Sequence, residues 1–245
     1  MPALLSINVN KYALLRNSRG GNNPNLLNAI DTCLAAGCHG ITVHPRRDQR
    51  HVRFDDVPIV AQHLADNHPG VELNIECEDH PDLIDMVQTI RPAQCTLVPV
   101  SPGEVTSDHG WDLPREAGRL QPTVDALRSS GIRVSIFMDC QPEAMVYAAE
   151  LGVDRVELYT GPYAHGWVTG NNATLETLWA SGAAAIAAGL ELNAGHDLDA
   201  ANLAGIRDMP GLKEVSIGHA QICRALDVGT TQSIGELLVA LGWSI

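Results

Sequence analysis

The sequence predicts an α/β fold of the (β/α)8 class, a TIM barrel with extra helices, and three observations support this. Eight short, β-branched apolar runs recur along the 245 residues, and helical patterns separate them. The runs are apolar on both faces, as parallel strands covered by helices are. The length suits one barrel and the composition does not shift along the chain, so we expect a single domain over residues 1–245.

The predicted strands are short enough to be ordinary barrel strands. In chain order they are residues 4–10 (LLSINVN), 40–45 (GITVHP), 71–76 (VELNIE), 95–100 (CTLVPV), 133–139 (RVSIFMD), 155–161 (RVELYTG), 190–195 (LELNAG) and 214–219 (EVSIGH). No GxGxxG motif follows the first of them, which disfavours an open, dinucleotide-binding sheet.

The predicted helices lie between these runs, and several end in Gly just before the next strand, a normal helix end. They cover residues 25–37, 55–67, 82–91, 123–131, 143–152, 175–189 and 200–209, with a closing helical stretch after residue 219. Residues 14–24 carry Arg16, Arg19 and two glycines, and we expect a flexible cationic loop there. We expect residues 162–173 to form a mobile loop or lid.

Composition narrows the function. The chain has 29 acidic and 16 basic residues, a formal charge of -13, which speaks against general nucleic-acid binding. Its six cysteines lack CxxC spacing, so free, mostly buried thiols of a reducing compartment are expected. No apolar run reaches a membrane-spanning length and no signal pattern begins the chain, so we expect a cytoplasmic protein with no membrane contact.

Polar residues stand where the predicted strands end, which in a barrel is the face that carries the active site. Three histidines and a glutamate are among them: His44, Glu76, His196 and His219. Their convergence on one rim predicts a functional site there. The remaining histidines (39, 63, 68, 80, 109 and 165) are expected to be ordinary surface residues.

The segment HPRRDQRH, residues 44–51, gathers positive charge in an acidic protein. Guanidinium groups bind phosphate through forked hydrogen bonds, so we expect an anionic substrate beside His44, with Arg46 and His51 as ligands. A solvated loop with surface Arg–Asp pairs is the alternative for one or two of these arginines. A second phosphate is expected at Gly218 and His219, where a strand runs into a helix start.

These pieces together resemble the pyridoxine 5′-phosphate synthase family of vitamin B6 biosynthesis. The similar stretches are RNSRG, GITVHPRRDQRH, NIE, LVP, EVTSDHG, ELYTGPYA, NAGH and IGHAQICRAL, in order over nearly the whole chain. The resemblance implies a (β/α)8 barrel assembled as a homo-octamer, with no metal or organic cofactor. It implies condensation of 3-amino-2-oxopropyl phosphate with 1-deoxy-D-xylulose 5-phosphate to give pyridoxine 5′-phosphate, phosphate and water.

The resemblance also implies roles for single residues. His44 and Glu76 would accept protons and His196 would donate one. The ligands of the two substrates would be separate sets. For the amino-ketone phosphate they are Asn8, Arg19, Asp197 (through its backbone N–H), Gly218 and His219, and for the deoxyxylulose phosphate Arg46, His51 and Thr106. The chain departs from the family at Asn10-Lys11, where Asp-His is usual, and Lys11 is expected to contact the same ketose phosphate.

Two other functions fit the same rim. A metal-dependent sugar-phosphate aldolase or epimerase would use the rim histidines and Glu76 as metal ligands, since imidazole and carboxylate suit zinc or manganese. A non-enzymatic regulator that binds a phosphosugar would show tight binding without turnover, but it leaves the acid–base residues unexplained.

Overall fold

Eight parallel strands close into a barrel in the computed structural model, which describes residues 1–101 and 103–244. Each strand pairs with the next along the chain, and the last pairs with the first. The strands are β1 (Leu4–Asn8), β2 (Gly40–Val43), β3 (Glu72–Cys77), β4 (Gln94–Leu97), β5 (Arg133–Met138), β6 (Arg155–Tyr159), β7 (Glu191–Gly195) and β8 (Leu212–Ile217). The predicted fold class and all eight strand positions are confirmed.

The helices of the described residues surround this barrel. They are α1 (Asn10–Asn17), α2 (Leu26–Ala35), α3 (Asp56–Asn67), α4 (Pro81–Ile90), α5 (Leu113–Ser129), α6 (Met145–Leu151), α7 (Gly161–Thr169), α8 (Ala173–Ala187), α9 (His219–Val228) and α10 (Thr230–Leu241). α5 begins ten residues before its predicted start because the helix continues through Pro122. A proline within a helix usually breaks it, so the sequence predicted a helix only after this residue. None of the helices in the part of the chain that the structure describes has the length and apolar character to cross a membrane.

The mobile loop predicted for residues 162–173 is wrong, because most of this segment is helix α7. Pro162 stands in the first turn, where its missing N–H costs nothing, and Gly170 ends the helix in the left-handed conformation. The Tyr163 ring is buried, and its hydroxyl donates to the carbonyl of Asn202. The segment is therefore anchored to the barrel.

Two further expectations about local structure are wrong in part. Residues 200–209 form only a short 3-10 turn, Asn202–Gly205, and the Asp199 carboxylate caps its start by accepting the N–H groups of Ala201 and Asn202. The expected loop 14–24 begins as the last turn of α1. Arg16 in this turn is buried and makes two 2.7 Å hydrogen bonds to Asp56, so it is not a free cation over the barrel.

The end of the barrel interior near the strand starts is filled by a polar network. Gln94 Oε1 accepts from Arg133 and Arg155, each at 3.1 Å, and the Asn193 amide donates to Glu214 at 3.4 Å. Burial raises the pKa of Glu214 to about 7, although Arg155 opposes this shift. This end of the barrel is packed, so the open cavity lies at the other end.

The cysteines are free, as predicted. Cys33, Cys38, Cys77 and Cys95 are buried among apolar side chains, while Cys140 is partly buried and Cys223 exposed. Burial raises the pKa of the Cys33 thiol to about 12, so it behaves as an apolar core group.

Candidate active site

A cavity of about 520 Å³ opens where the strands end, and we call it the mouth cavity. Its size suits small phosphorylated molecules. All the predicted site residues except Arg19 line it: Asn8, His44, Arg46, His51, Glu76, Thr106, His196, Asp197, Gly218 and His219. Arg19 lies in the turn beyond α1, exposed and not among the residues that line the cavity.

His44 and Glu76 form a pair on one wall of the mouth cavity. His44 Nδ1 lies 3.4 Å from Glu76 Oε2, and the Asn8 amide donates to the same oxygen at 3.4 Å. The other ring nitrogen, His44 Nε2, is buried without a hydrogen-bond partner among the described residues. A buried imidazole with one nitrogen on a carboxylate and the other unpaired can take a proton from a ligand.

The end of β1 positions His44 through backbone contacts. Asn8 Oδ1 accepts the N–H of Asn10 at 3.0 Å, and Asn10 Oδ1 accepts the N–H of His44 at 2.9 Å. Two side-chain amides thus connect the ends of β1 and β2. Asn10 has this structural use in addition to any contact with substrate.

His196 stands opposite, on a backbone that ordinary residues avoid. Its φ is 85° and that of Asp197 is 56°, both in the left-handed region, which marks a conformation imposed by the surroundings. The Thr160 hydroxyl donates to the carbonyls of Gly195 and His196 and holds this turn. His196 Nε2 lies 3.2 Å from Thr106 Oγ1, and the ring packs edge-on against Tyr159.

Asp197 keeps its negative charge beside this histidine. The His196 imidazole, whose Nδ1 lies 3.7 Å from Asp197 Oδ2, lowers the pKa of Asp197, although burial opposes the shift. A phosphate would be repelled by the Asp197 carboxylate, so only the backbone N–H of Asp197 is suited to contact it.

The cationic wall of the mouth cavity carries Lys11, Arg46, Arg50 and His51. Arg46 is buried and its guanidinium contacts Glu104 Oε1 at 2.5 Å. Arg50 donates to the carbonyls of Glu104 and Val105 at 3.1 and 2.9 Å. Arg50 also pairs with Asp48. For Arg50 the structure therefore shows the alternative prediction, a partly exposed Arg–Asp pair.

His51 is uncharged on this wall. Burial, and then the positive charges of its neighbours His44, Arg46 and Lys11, lower the pKa of His51 to about 3. His51 Nδ1 accepts the N–H of Val52 at 3.0 Å, so the ring proton is on Nε2. The residue is thus a neutral hydrogen-bond donor.

The turn from β8 into α9 forms the remaining wall. A Cβ at Gly218 would lie 2.7 Å from the Asn8 carbonyl oxygen, so only glycine lets the two chain segments approach this closely. α9 begins at His219, and the first N–H groups of a helix attract anions.

Comparison with known proteins now identifies the family. The sequence profile described as pyridoxal phosphate biosynthesis protein PdxJ matches residues 5–242. The chain belongs to the PdxJ family.

Curated relatives of this PdxJ chain match along nearly their whole length. The pyridoxine 5′-phosphate synthase of Xanthomonas axonopodis pv. citri is 49% identical over 96% of this chain and 94% of that protein. The pyridoxine 5′-phosphate synthase of Mesorhizobium japonicum is 44% identical over 99% of this chain and 100% of that protein. Among solved structures, the tryptophan synthase α-subunit of Pyrococcus furiosus superposes with a TM-score of 0.64 at 10% identity, covering 97% of this chain and 98% of that one, which shows the fold alone.

One residue of the PdxJ mouth cavity escaped sequence reasoning. Glu157 lies within β6, buried, and lines the cavity. Burial, and then the carboxylates of Glu76 and Glu214, raise the pKa of Glu157 well above its ordinary value, which favours the protonated, hydrogen-bond-donating form. A Cβ at Gly195 would lie 2.2 Å from Glu157 Oε1, so Gly195 makes room for this side chain. The sequence did contain one signal for Glu157, because it is an acidic residue inside an otherwise apolar strand.

The rim does not gather a metal-ligand set. Within residues 1–101 and 103–244, no three of His44, Glu76, His196 and His219 bring their ligand atoms within 4.8 Å of one another.

Proposed function

We propose that this chain is a pyridoxine 5′-phosphate synthase. It condenses 3-amino-2-oxopropyl phosphate with 1-deoxy-D-xylulose 5-phosphate to give pyridoxine 5′-phosphate, phosphate and water. The observation that carries the proposal is the nearly full-length match, at 49% identity, to a protein with that name. A cavity lined by His44, Glu76 and His196 supports it, because the reaction moves protons at several steps.

The proton acceptors are His44 and Glu76. Loss of water and phosphate and closure of the ring each require a proton to leave carbon, nitrogen or oxygen. The unpaired Nε2 of His44 takes such a proton, and Glu76, at 3.4 Å from Nδ1, stabilises the imidazolium that results. The second acceptor role belongs to the Glu76 carboxylate, which Asn8 orients.

The proton donor is His196, on the opposite wall. Its Nε2 lies 3.2 Å from the Thr106 hydroxyl, a polar group that can also contact the ketose phosphate. Hydroxide and phosphate leave the substrate more easily once they are protonated, so a proton donor at this position accelerates their departure.

The two phosphates occupy different walls. Arg46, the Nε2–H of His51 and Thr106 hold the deoxyxylulose phosphate. Asn8, the N–H groups of Asp197 and Gly218, and His219 hold the amino-ketone phosphate. Arg19, also assigned to this second phosphate, would reach it only if the turn after α1 moved toward the cavity.

The test is direct. Both substrates are mixed with the purified protein, and pyridoxine 5′-phosphate is detected by its ultraviolet absorption, with and without a chelator. Product formation unaffected by the chelator is expected. Turnover that a chelator abolishes and stoichiometric metal restores would support the aldolase or epimerase instead, and tight binding without product would support a regulator.

We also propose that the chain is a single-domain protomer, residues 1–245, of a cytoplasmic homo-octamer. The family resemblance supports the assembly, and the free cysteines suit a reducing compartment. Light scattering on the purified protein measures the assembly: a mass of eight chains is expected, and a monomer would refute it.

A further inference from the structure

A second cluster of histidines lies outside the mouth cavity, between α2 and α3. His63 Nε2 lies 2.6 Å from Asp31 Oδ1, and His68 Nε2 lies 2.7 Å from the same oxygen. The sequence predicted His63 and His68 to be ordinary surface residues, and it did not single out Asp31. None of them lines the mouth cavity, so the proposed synthase reaction does not account for their convergence.

The backbone at the end of α3 creates this convergence. In a continuous helix, residues five apart point in directions about 140° different. α3 ends at Asn67, and His68 has a non-helical backbone with φ -135° and ψ 57°. This turn returns the His68 ring to the side of His63, with ring centroids 5.6 Å apart, and both rings then face α2.

We propose that Asp31, His63 and His68 bind a first-row divalent cation of the zinc type. One ligand atom from each residue lies within 4.8 Å of the other two, so a small displacement lets a cation replace the hydrogen bonds to Asp31. Two imidazole nitrogens and one carboxylate oxygen are a donor set that suits zinc and its neighbours and disfavours calcium or magnesium.

The surroundings of the cluster suit a bound cation. The side chain of Asp31 is 43% exposed, against 16% for His63 and 26% for His68, so water can reach the site and complete the coordination.

Asn67 holds the outer side of the His63 ring. Its side-chain amide donates to the His63 carbonyl at 3.0 Å and lies 3.3 Å from His63 Nδ1. The bound cation links α2 to α3 in the helical layer, on the outside of the barrel.

Zinc titration tests the proposal in a buffer without phosphate or chelator, with isothermal calorimetry as the readout. The unmodified protein should bind one Zn²⁺ at this site. Removing one ligand, as in Asp31→Asn or His68→Gln, should weaken binding at least about tenfold, since even loss of an outer partner costs 10- to 100-fold. The matched control is His165→Gln, which removes an exposed histidine of α7 and should bind as the unmodified protein does.

The double variant His63→Gln/His68→Gln decides the location. Loss of the zinc isotherm in this variant supports the site, and an unchanged isotherm places the metal elsewhere and overturns the proposal. No binding to the unmodified protein also overturns it. A second readout is thermal unfolding: Zn²⁺ should raise the Tm of the unmodified and His165→Gln proteins by several degrees and leave Asp31→Asn nearly unchanged. Circular dichroism without metal checks that each variant is folded.

Discussion

Glu104 occupies the cationic wall where the ketose phosphate is proposed to bind. Its carboxylate contacts the Arg46 guanidinium at 2.5 Å, and both side chains are 5% exposed. The second oxygen of Glu104 accepts the N–H of Ser101 at 3.0 Å, which ties the loop after β4 to this contact. A phosphate that binds Arg46 must therefore displace a carboxylate, and replacing Glu104 by Gln should make binding tighter.

The size of the effect follows from the difference between charged and neutral hydrogen bonds. A bond between charged groups contributes about 1.5–3 kcal/mol and a neutral one about 0.5–1.5 kcal/mol, so the substitution removes roughly 1–1.5 kcal/mol of competition. Calorimetry with 1-deoxy-D-xylulose 5-phosphate alone, which cannot turn over without the amine, should show binding tighter by about 5- to 13-fold. The variant without ligand should also lose about 1 kcal/mol of unfolding free energy, because Arg46 then donates to a neutral amide and makes a weaker hydrogen bond.

Arg46→Ala supplies the control for this prediction. In that background the ketose phosphate should bind more weakly, and adding Glu104→Gln should give no gain, since the competing contact no longer exists. Unchanged or weaker binding in the single Glu104→Gln variant would refute the reasoning. It would show that the phosphate binds without breaking the contact between Arg46 and Glu104.

The remaining predictions concern the proton acceptor, the departure from the family pattern and the buried network. Glu76→Gln should lower kcat about 100-fold or more with little change in KM, and near-normal turnover would remove Glu76 from the mechanism. Lys11→Met should raise the KM for the ketose phosphate more than it lowers kcat, whereas unaltered kinetics would mean that Lys11 does not bind substrate. Glu214, whose pKa burial raises to about 7, contributes stability below about pH 4.5 that is lost as the pH rises through 7. Denaturation should therefore show the unmodified protein losing roughly 3 kcal/mol relative to Glu214→Gln between pH 4.5 and 8, and parallel pH curves would contradict this.

The barrel could be predicted from the sequence because its strands carry the signal locally. A run such as RVSIFM has the length of a strand, a wholly apolar face of Val134, Ile136 and Met138, and helical sequence on either side, and these features predict its place in a parallel barrel. The failures lie where tertiary contacts override local pattern. Residues 162–173 were predicted to be a loop, but a Cβ at Gly166 would lie 2.0 Å from Thr174 Oγ1, so this glycine allows α7 and α8 to pack closely.

The site residues also divide into those that local sequence predicts and those that depend on tertiary contacts. Those at strand ends, such as His44 and His196, could be found because barrel topology brings every strand end to one rim. Glu157 has only a weak local signal, an acidic residue inside an apolar strand, because its raised pKa comes from burial and from Glu76, which is distant in sequence. The Arg46–Glu104 contact joins residues 58 apart, and no local pattern encodes it.

The cationic wall shows why an acidic chain can gather positive charge at the end of β2. Lys11, Arg46 and Arg50 would repel one another if no anion were present. Their positive charges also contribute to the lowered pKa of His51. In the structure, Glu104 and Asp48 supply that anion from the neighbouring loops. A doubly charged phosphate offers more charge and more acceptor oxygens than one carboxylate, so it can displace Glu104 while His51 stays neutral and donates. The Glu104 carboxylate that pairs with Arg46 thus also makes binding selective, because a ligand with a single weak negative charge would not displace it.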